Sequence, residues 1–171
     1  MKIAVIFASG TEEIEGITPV DVLKRAGVDC RIVTVGEQTI VGSHGIKIQG
    51  DMLTSELDIN DFDGIVIPGG MPGAKNIAND KSVGKALLIA NAQNKMVASI
   101  CASPAVVLAK LGILNGKKAT CYPAEDFIQK LDCYTAKNVE VDGNIITANG
   151  PKSAMEFSLK ICEYLGVQPK F

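Results

Sequence analysis

The stretch Lys95-Met-Val-Ala-Ser-Ile-Cys-Ala-Ser-Pro-Ala-Val-Val-Leu-Ala-Lys-Leu-Gly112 decides the fold. Met96 to Ile100 is a short, nearly all-apolar run, the pattern of a strand buried on both faces of a parallel sheet. From Pro104 the spacing becomes helical. Val106, Val107, Ala109 and Leu111 are apolar, Lys110 is free to face water, and Gly112 stands where a helix C-cap belongs. Pro104 suits the first helical position, where a missing N–H costs nothing. Cys101, Ala102 and Ser103 are left to turn the chain. A residue at such a joint sits at the carboxyl edge of the sheet, under the free N–H groups of the next helix. This is a nucleophile elbow with Cys in place of Ser. Two readings of Cys101 follow. It is a thiolate with a pKa lowered from ~8.5 toward ~3.5–7.5 by the helix N-terminus, or it is a structural thiol packed in a tight turn.

Working outward, apolar runs alternate with helix-period segments along the whole chain. Ile3–Phe7 reads as the first strand. Thr11 is placed to cap a helix running to about Ala26 and closed by Gly27, with Pro19 expected to kink it. Val28–Val35 is a second strand. Thr39–Val41 and Ile46–Ile48 form a small hairpin, and Ile65–Ile67 ends a third core strand. Pro68-Gly-Gly-Met-Pro-Gly73 is irregular loop. Ser82–Gln93 is a helix, Lys117–Cys121 a strand and Ala124–Leu131 a short helix. Lys137–Val141 and Asn144–Ala148 flank Asp142-Gly143, a strong hairpin turn. Ser153–Leu165 closes the chain as a helix ended by Gly166, with Met155, Leu159 and Cys162 offered as its core face. Strands alternating with helices predict a flavodoxin-like three-layer α/β sandwich, a mostly parallel doubly wound sheet, as one domain over residues 1–171.

Composition excludes several classes of function. The net charge is −2, and the 17 basic residues form no stripe, so no nucleic-acid surface is indicated. No apolar run is long enough for a membrane span, and the opening run is too short for a signal peptide. Five cysteines, an odd number without a C-x-x-C pair, point to reduced thiols in the cytoplasm and to no zinc site.

In doubly wound folds ligands sit at the carboxyl ends of the strands. Ala8–Glu15, Pro68–Gly73 and the Cys101 elbow are expected to meet there. Pro68–Gly73 offers unobstructed N–H groups for an oxyanion or a phosphate, or is simply a tight turn. It lacks the glycine patterns of nucleotide-binding loops. Glu12 and Glu13 read as solvated partners of a helix dipole, whereas periodicity alone does not place Glu15. Cys30 and Cys162 read as packing. Cys121 and Cys133 lie near strand ends within reach of the site. His44 is the single histidine, either a surface residue of the hairpin or an accessory group at the site.

Three motifs in order, Glu12-Glu-Ile-Glu-Gly-Ile-Thr-Pro-Val-Asp-Val-Leu-Lys-Arg-Ala-Gly27, Ile67-Pro-Gly-Gly-Met-Pro-Gly-Ala-Lys-Asn76 and Ser99-Ile-Cys-Ala-Ser-Pro104, resemble the DJ-1/ThiJ/PfpI superfamily, its DJ-1-like branch in particular. The likeness runs from Lys2 to about Gly166. It implies that Cys101 is the reactive residue and that Glu15 hydrogen-bonds its sulfur. The Gly70 and Ala102 amides would then form an oxyanion pocket. It further implies a homodimer with the site near the interface, and no cofactor. The implied activities are glyoxalase or deglycase chemistry on methylglyoxal-type dicarbonyls or glycated substrates, or oxidative-stress sensing or chaperone action, with Cys101 oxidised to a sulfinate without turnover. Two departures matter. Ala102 stands where the protease-like branch has His, which argues against peptidase activity. Cys133-Tyr-Thr stands where DJ-1-like members often carry His-Tyr-Thr. A histidine base within one subunit would have to be His44. A dicarbonyl attacked by the thiolate needs donors for its alkoxide and a carboxyl that moves protons near neutral pH, roles open to Gly70, Ala102 and a desolvated Glu15.

Overall fold

A computed structural model of residues 1–171 shows in which order these segments assemble. Strand β1 (Lys2–Phe7) leads to helix α1 (Glu13–Arg25) and β2 (Asp29–Thr34). A hairpin of β3 (Thr39–Val41) and β4 (Lys47–Gln49) precedes β5 (Met52–Leu53) and β6 (Gly64–Ile67). Helices α2 (Gly73–Ala78) and α3 (Lys81–Ala92) bring the chain to β7 (Met96–Ile100). After the elbow, Pro104–Leu108 is π-helical. The chain ends with β8 (Lys118–Ala119), α4 (Glu125–Ile128), β9 (Cys133–Tyr134), β10 (Val139–Asp142), β11 (Ile145–Ala148) and α5 (Ala154–Leu165).

The main sheet has the order β10-β11-β7-β6-β1-β2-β5. Its neighbours run parallel except β10, which returns antiparallel to β11 through the Asp142-Gly143 turn. Both faces are covered, because successive residues of a strand point to opposite sides. On β1, Ala4 and Ile6 enter one core with Ile77, Leu87 and Leu108, as does Ala8 just beyond the strand, while Ile3, Val5 and Phe7 enter the other with Leu23, Phe157 and Ile161. Helices α2 and α3 and the π-helical segment therefore lie on one face, with α1 and α5 on the other. This is the expected three-layer, mostly parallel sandwich.

The structure departs from the sequence reading in several places. Thr11 does not cap α1. The cap position is Glu12, without a side-chain cap bond, and the Thr11 hydroxyl instead accepts the Ala8 N–H at 3.0 Å. A helix at Gly73–Ala78 was hidden by the glycines and prolines before it. On α5, Met155 and Leu159 are 46% and 39% exposed, and the inner face is Ala154, Phe157, Ser158, Ile161 and Cys162. The helical stripe is rotated away from the one drawn through Met155, because the large Phe157 occupies the core. The segment after the elbow is π- rather than α-helical, with the Ala109 N–H donating to Pro104 O at 2.9 Å.

Candidate active site

Three loops meet at the carboxyl ends of β1, β6 and β7. The loop after β1 crosses the loop after β6 at Gly69, whose carbonyl accepts the Glu12 N–H and whose N–H donates to Glu15 Oε2, both at 2.9 Å. The loop after β6 is tied to the elbow by the buried Ser103 hydroxyl, which donates to Pro68 O at 2.6 Å. No room remains for side chains along this seam. A β-carbon on Gly69 would fall 2.6 Å from both Cys101 Cβ and Glu15 Oε2. Gly70 has φ +89°, and a β-carbon there would strike the Glu12 backbone nitrogen. Only glycine fits either position, which lets the loop backbone close on the cysteine.

Cys101 itself has φ +66°, in the left-handed region that a residue with a β-carbon adopts at a cost. Both its peptide groups are held. Its N–H donates to Ala148 O at 2.9 Å, and its carbonyl accepts the Tyr122 N–H at 2.8 Å. With its own N–H committed to β11, the free donors that act on the sulfur are those of Ala102 and Gly70, and both favour the thiolate.

Glu15 is fully buried, in the first turn of α1. Burial pushes its carboxyl up from 4.5 to about 7, against the lowering pull of the Cys101 thiol and the Gly69 N–H, and the nearby Glu12 charge adds to the rise. Its Oε1 carries no well-formed hydrogen bond. A buried carboxylate oxygen without a donor is costly, so this oxygen is where a proton belongs. Cys101 responds in the opposite sense to the sequence expectation. Burial, the Glu15 charge and the hydrogen bond to that carboxyl push the thiol up, and the Ala102 and Gly70 amides only partly compensate. The upward push by Glu15 belongs to its ionised form. With Glu15 protonated the repulsion disappears and the carboxyl donates to sulfur. The two groups therefore titrate as a pair.

Glu13, two residues earlier, is not the solvated residue the sequence reading made it. It is 6% exposed. Its Oε1 accepts the His44 N–H at 2.8 Å and the Ile46 N–H at 3.4 Å, and its Oε2 lies 3.0 Å from His44 Nδ1. Burial alone would raise its carboxyl, but the His44 ring and these N–H donors outweigh it and lower it to about 2. His44, in the turn between β3 and β4, is raised in return, by its hydrogen bond to Glu13 first and by the Glu12 charge second. Ser43 adds its hydroxyl to the cluster, 3.2 Å from Glu13 Oε2 and 3.3 Å from Glu12 Oε2. Glu12, Glu13 and His44 also bring three potential metal donors within 4.8 Å of one another. Each of them is already engaged by the ion pairs and hydrogen bonds of this cluster.

The structure thus brings Glu15, Cys101, Gly70 and Ala102 together. It places His44 on Glu13 and Glu12, not on the sulfur. Cys121 is joined to the elbow through its neighbour Tyr122, but its thiol donates to Tyr122 O at 3.4 Å and packs in the core that faces α3. Cys101 packs against the other core, so the two side chains serve different cores. Cys133 is exposed at the start of β9, opposite Lys118, and takes no part in the bonds around Cys101. The sequence reading missed Ser103, Thr11 and Glu13 as residues that hold the loops. A small hydroxyl residue inside a glycine-rich or elbow loop is the only trace that Ser103 and Thr11 leave.

The comparisons with known proteins agree with this architecture. The family model described as DJ-1/PfpI family matches residues 1–164. Protein DJ-1 homolog B of Arabidopsis thaliana is 40% identical over 168 residues, 96% of this chain but 38% of that protein, so this chain spans well under half of that relative. A deglycase of Pyrococcus horikoshii is 32% identical over 153 residues, 88% of this chain and 91% of its own. The solved structure of oxidized DJ-1 from Toxoplasma gondii superimposes with a TM-score of 0.91 at 39% identity, covering 96% of this chain and 90% of that one. Matched along nearly its whole length in both sequence and fold, this chain belongs to the DJ-1/PfpI family.

Proposed function

We propose that this protein is a cofactor-independent glyoxalase or deglycase that acts on methylglyoxal-type dicarbonyls, or their adducts, through the Cys101 thiolate. The observation that carries this reading is the Glu15 carboxyl, raised to about 7 beside a thiol served by two backbone N–H donors. Proton relays work best with a pKa near the working pH. The thiolate adds to the aldehyde carbon of methylglyoxal and a C–S bond forms. The Gly70 and Ala102 amides hold the alkoxide, which takes a proton to give a hemithioacetal. Glu15, as carboxylate, removes the hydrogen on that carbon and returns a proton to the neighbouring carbon, leaving a lactoyl thioester. Water cleaves the C–S bond, releasing lactate and the thiol. The sum is methylglyoxal plus water giving lactate, with no external oxidant or reductant.

The homologous deglycase supports the substrate class. Exposed Ile14 and Ile17 on α1, beside exposed Ile46, support a C2 homodimer. Val20, on the same helix, is buried within its own chain and adds nothing to that surface. No helix is long and apolar enough to cross a membrane. We place the protein in the cytoplasm on its five free thiols. The test is conversion of methylglyoxal to lactate by wild type and Cys101→Ser. Conversion by wild type that is lost in the variant supports the enzyme, and no conversion by wild type overturns it.

A second reading uses the same half-buried sulfur. Peroxide oxidises the thiolate to a sulfenic acid with release of water, and a second peroxide gives the sulfinate, whose oxygens the same amides can hold. Sulfination of Cys101 in a wild type that turns over no dicarbonyl selects this sensor. Anti-aggregation activity that survives Cys101→Ser selects a chaperone instead.

A further inference from the structure

On the α3 face a groove of about 680 Å³ opens between α2, the π-helical segment and α4. This is the size of a small-molecule site. Its floor is apolar: Ala105, Val106 and Ala109 from the π-helical segment and the residues just after it, Phe127 from α4 and Met71 from the loop after β6. The alanines keep the floor low. The π-helical turn, closed by the Ala109 to Pro104 hydrogen bond, is wider than an α-turn. The rim is charged. Lys75, Lys110 and Lys130 stand against one acid, Asp126, a local charge of +2 (three minus one) on a chain of net charge −2. The Lys110 ammonium reaches across to Ala78 O at 3.4 Å.

We propose that this groove binds a small amphipathic carboxylate free in solution, an acyl-type apolar body seated on Ala105, Ala109 and Phe127 with its anionic head among the three lysines. Charge complementarity selects the head and the apolar floor selects the body. The position gives the occupant a second consequence. Met71 follows the amide donor Gly70 directly, and Ala105 lies three residues beyond Ala102, so the ligand rests against both loops that carry the site's donors. The proposal does not depend on the dicarbonyl chemistry.

The test is displacement of 1-anilinonaphthalene-8-sulfonate, followed by fluorescence, with decanoate below its micelle concentration and decanol as the neutral control. The protein is used as wild type and as Cys101→Ser. Decanoate is expected to bind one per chain with a Kd below about 1 mM, and decanol at least about tenfold more weakly. Lys75→Glu with Lys130→Glu should weaken decanoate at least about tenfold while leaving Cys101 alkylation intact. Ala109→Phe should fill the floor and abolish displacement. Equal binding of decanoate and decanol, or undiminished binding in the lysine variant, overturns the proposal, as does displacement that survives Ala109→Phe. Displacement lost in Cys101→Ser also overturns it, because the ligand would then lie in the thiol site. Lysine-dependent cosedimentation with phosphatidylglycerol vesicles, without decanoate binding, would assign the patch to a membrane surface instead.

Discussion

Glu13 and Glu15 sit two residues apart on the same helix, both withdrawn from solvent, and they behave as opposites. Burial pushes each of them up. Glu15 stays up, at about 7, while Glu13 ends at about 2. The difference is in depth and in donors, Glu15 being the more deeply buried of the two. Glu13 receives two backbone N–H groups and an imidazole from the β3–β4 turn, enough to hold the charge. Glu15 receives one backbone N–H and keeps an oxygen unserved. Burial alone therefore does not set a carboxyl's proton affinity. One glutamate is spent on fastening a hairpin to α1, and its neighbour is left available for chemistry.

The largest test of this contrast is at the sulfur. Cys101→Ser should lower methylglyoxal turnover by at least about a thousandfold, and Glu13→Gln, if it folds, should lower it far less. Equal losses in the two variants would erase the distinction. Glu15→Gln comes next. It keeps a donor for the sulfur and an acceptor for Gly69 but cannot relay a proton, so turnover should fall about 10²–10⁴-fold while iodoacetamide still alkylates Cys101. Glu15→Leu should shift the pH midpoint of that alkylation by at least about one unit, or ~1.4 kcal/mol. A midpoint unmoved in Glu15→Leu means that the pair is not coupled.

Stability should separate the two glutamates by sign. The folded pKa of Glu15 is raised, so its stabilising contribution is present below pH 4.5 and is lost as pH rises through about 7. Above that, Glu15→Gln should be more stable than wild type by about 1–3 kcal/mol in chemical denaturation. The folded pKa of Glu13 is lowered. Its contribution is present above pH 4.5 and is lost as pH falls toward about 2. Glu13→Gln should therefore be destabilised by about 1–2 kcal/mol at neutral pH, with the gap closing in acid. Parallel pH profiles for the two variants would break the comparison. The smallest effect is expected at His44. His44→Ala should change kcat/KM by less than about threefold at neutral pH, since the ring is bound to Glu13 and not to sulfur.

What the sequence made legible follows the same division. The strand–Cys–turn unit, the alternating elements and the Asp142-Gly143 hairpin are local patterns, and each can be read within a dozen residues. The Cys101–Glu15 pairing was legible only through the family motifs, because 86 residues separate the two and periodicity does not place Glu15. The Glu13–His44 pairing left no such trace. Charged residues in a first helical turn ordinarily complement the dipole in water, and nothing in the hairpin says that its turn will fold back over them. Met155 and Leu159 misled for a related reason. A helix with apolar residues all round does not say which stripe faces the sheet until Phe157 is seen in the core.

The strained backbone at Cys101 also bears on how this lineage can change. Held by Ala148 on one side and Tyr122 on the other, the residue cannot relax out of the left-handed region without giving up both hydrogen bonds. Glycine occupies that region freely, whereas a side chain costs roughly 1 kcal/mol there. A Cys101→Gly replacement would relieve that strain as it ends the chemistry, so part of the stability lost with the side chain returns through the backbone. Copies released from selection on the thiol should tolerate glycine at this position, where elsewhere in a core it would be costly.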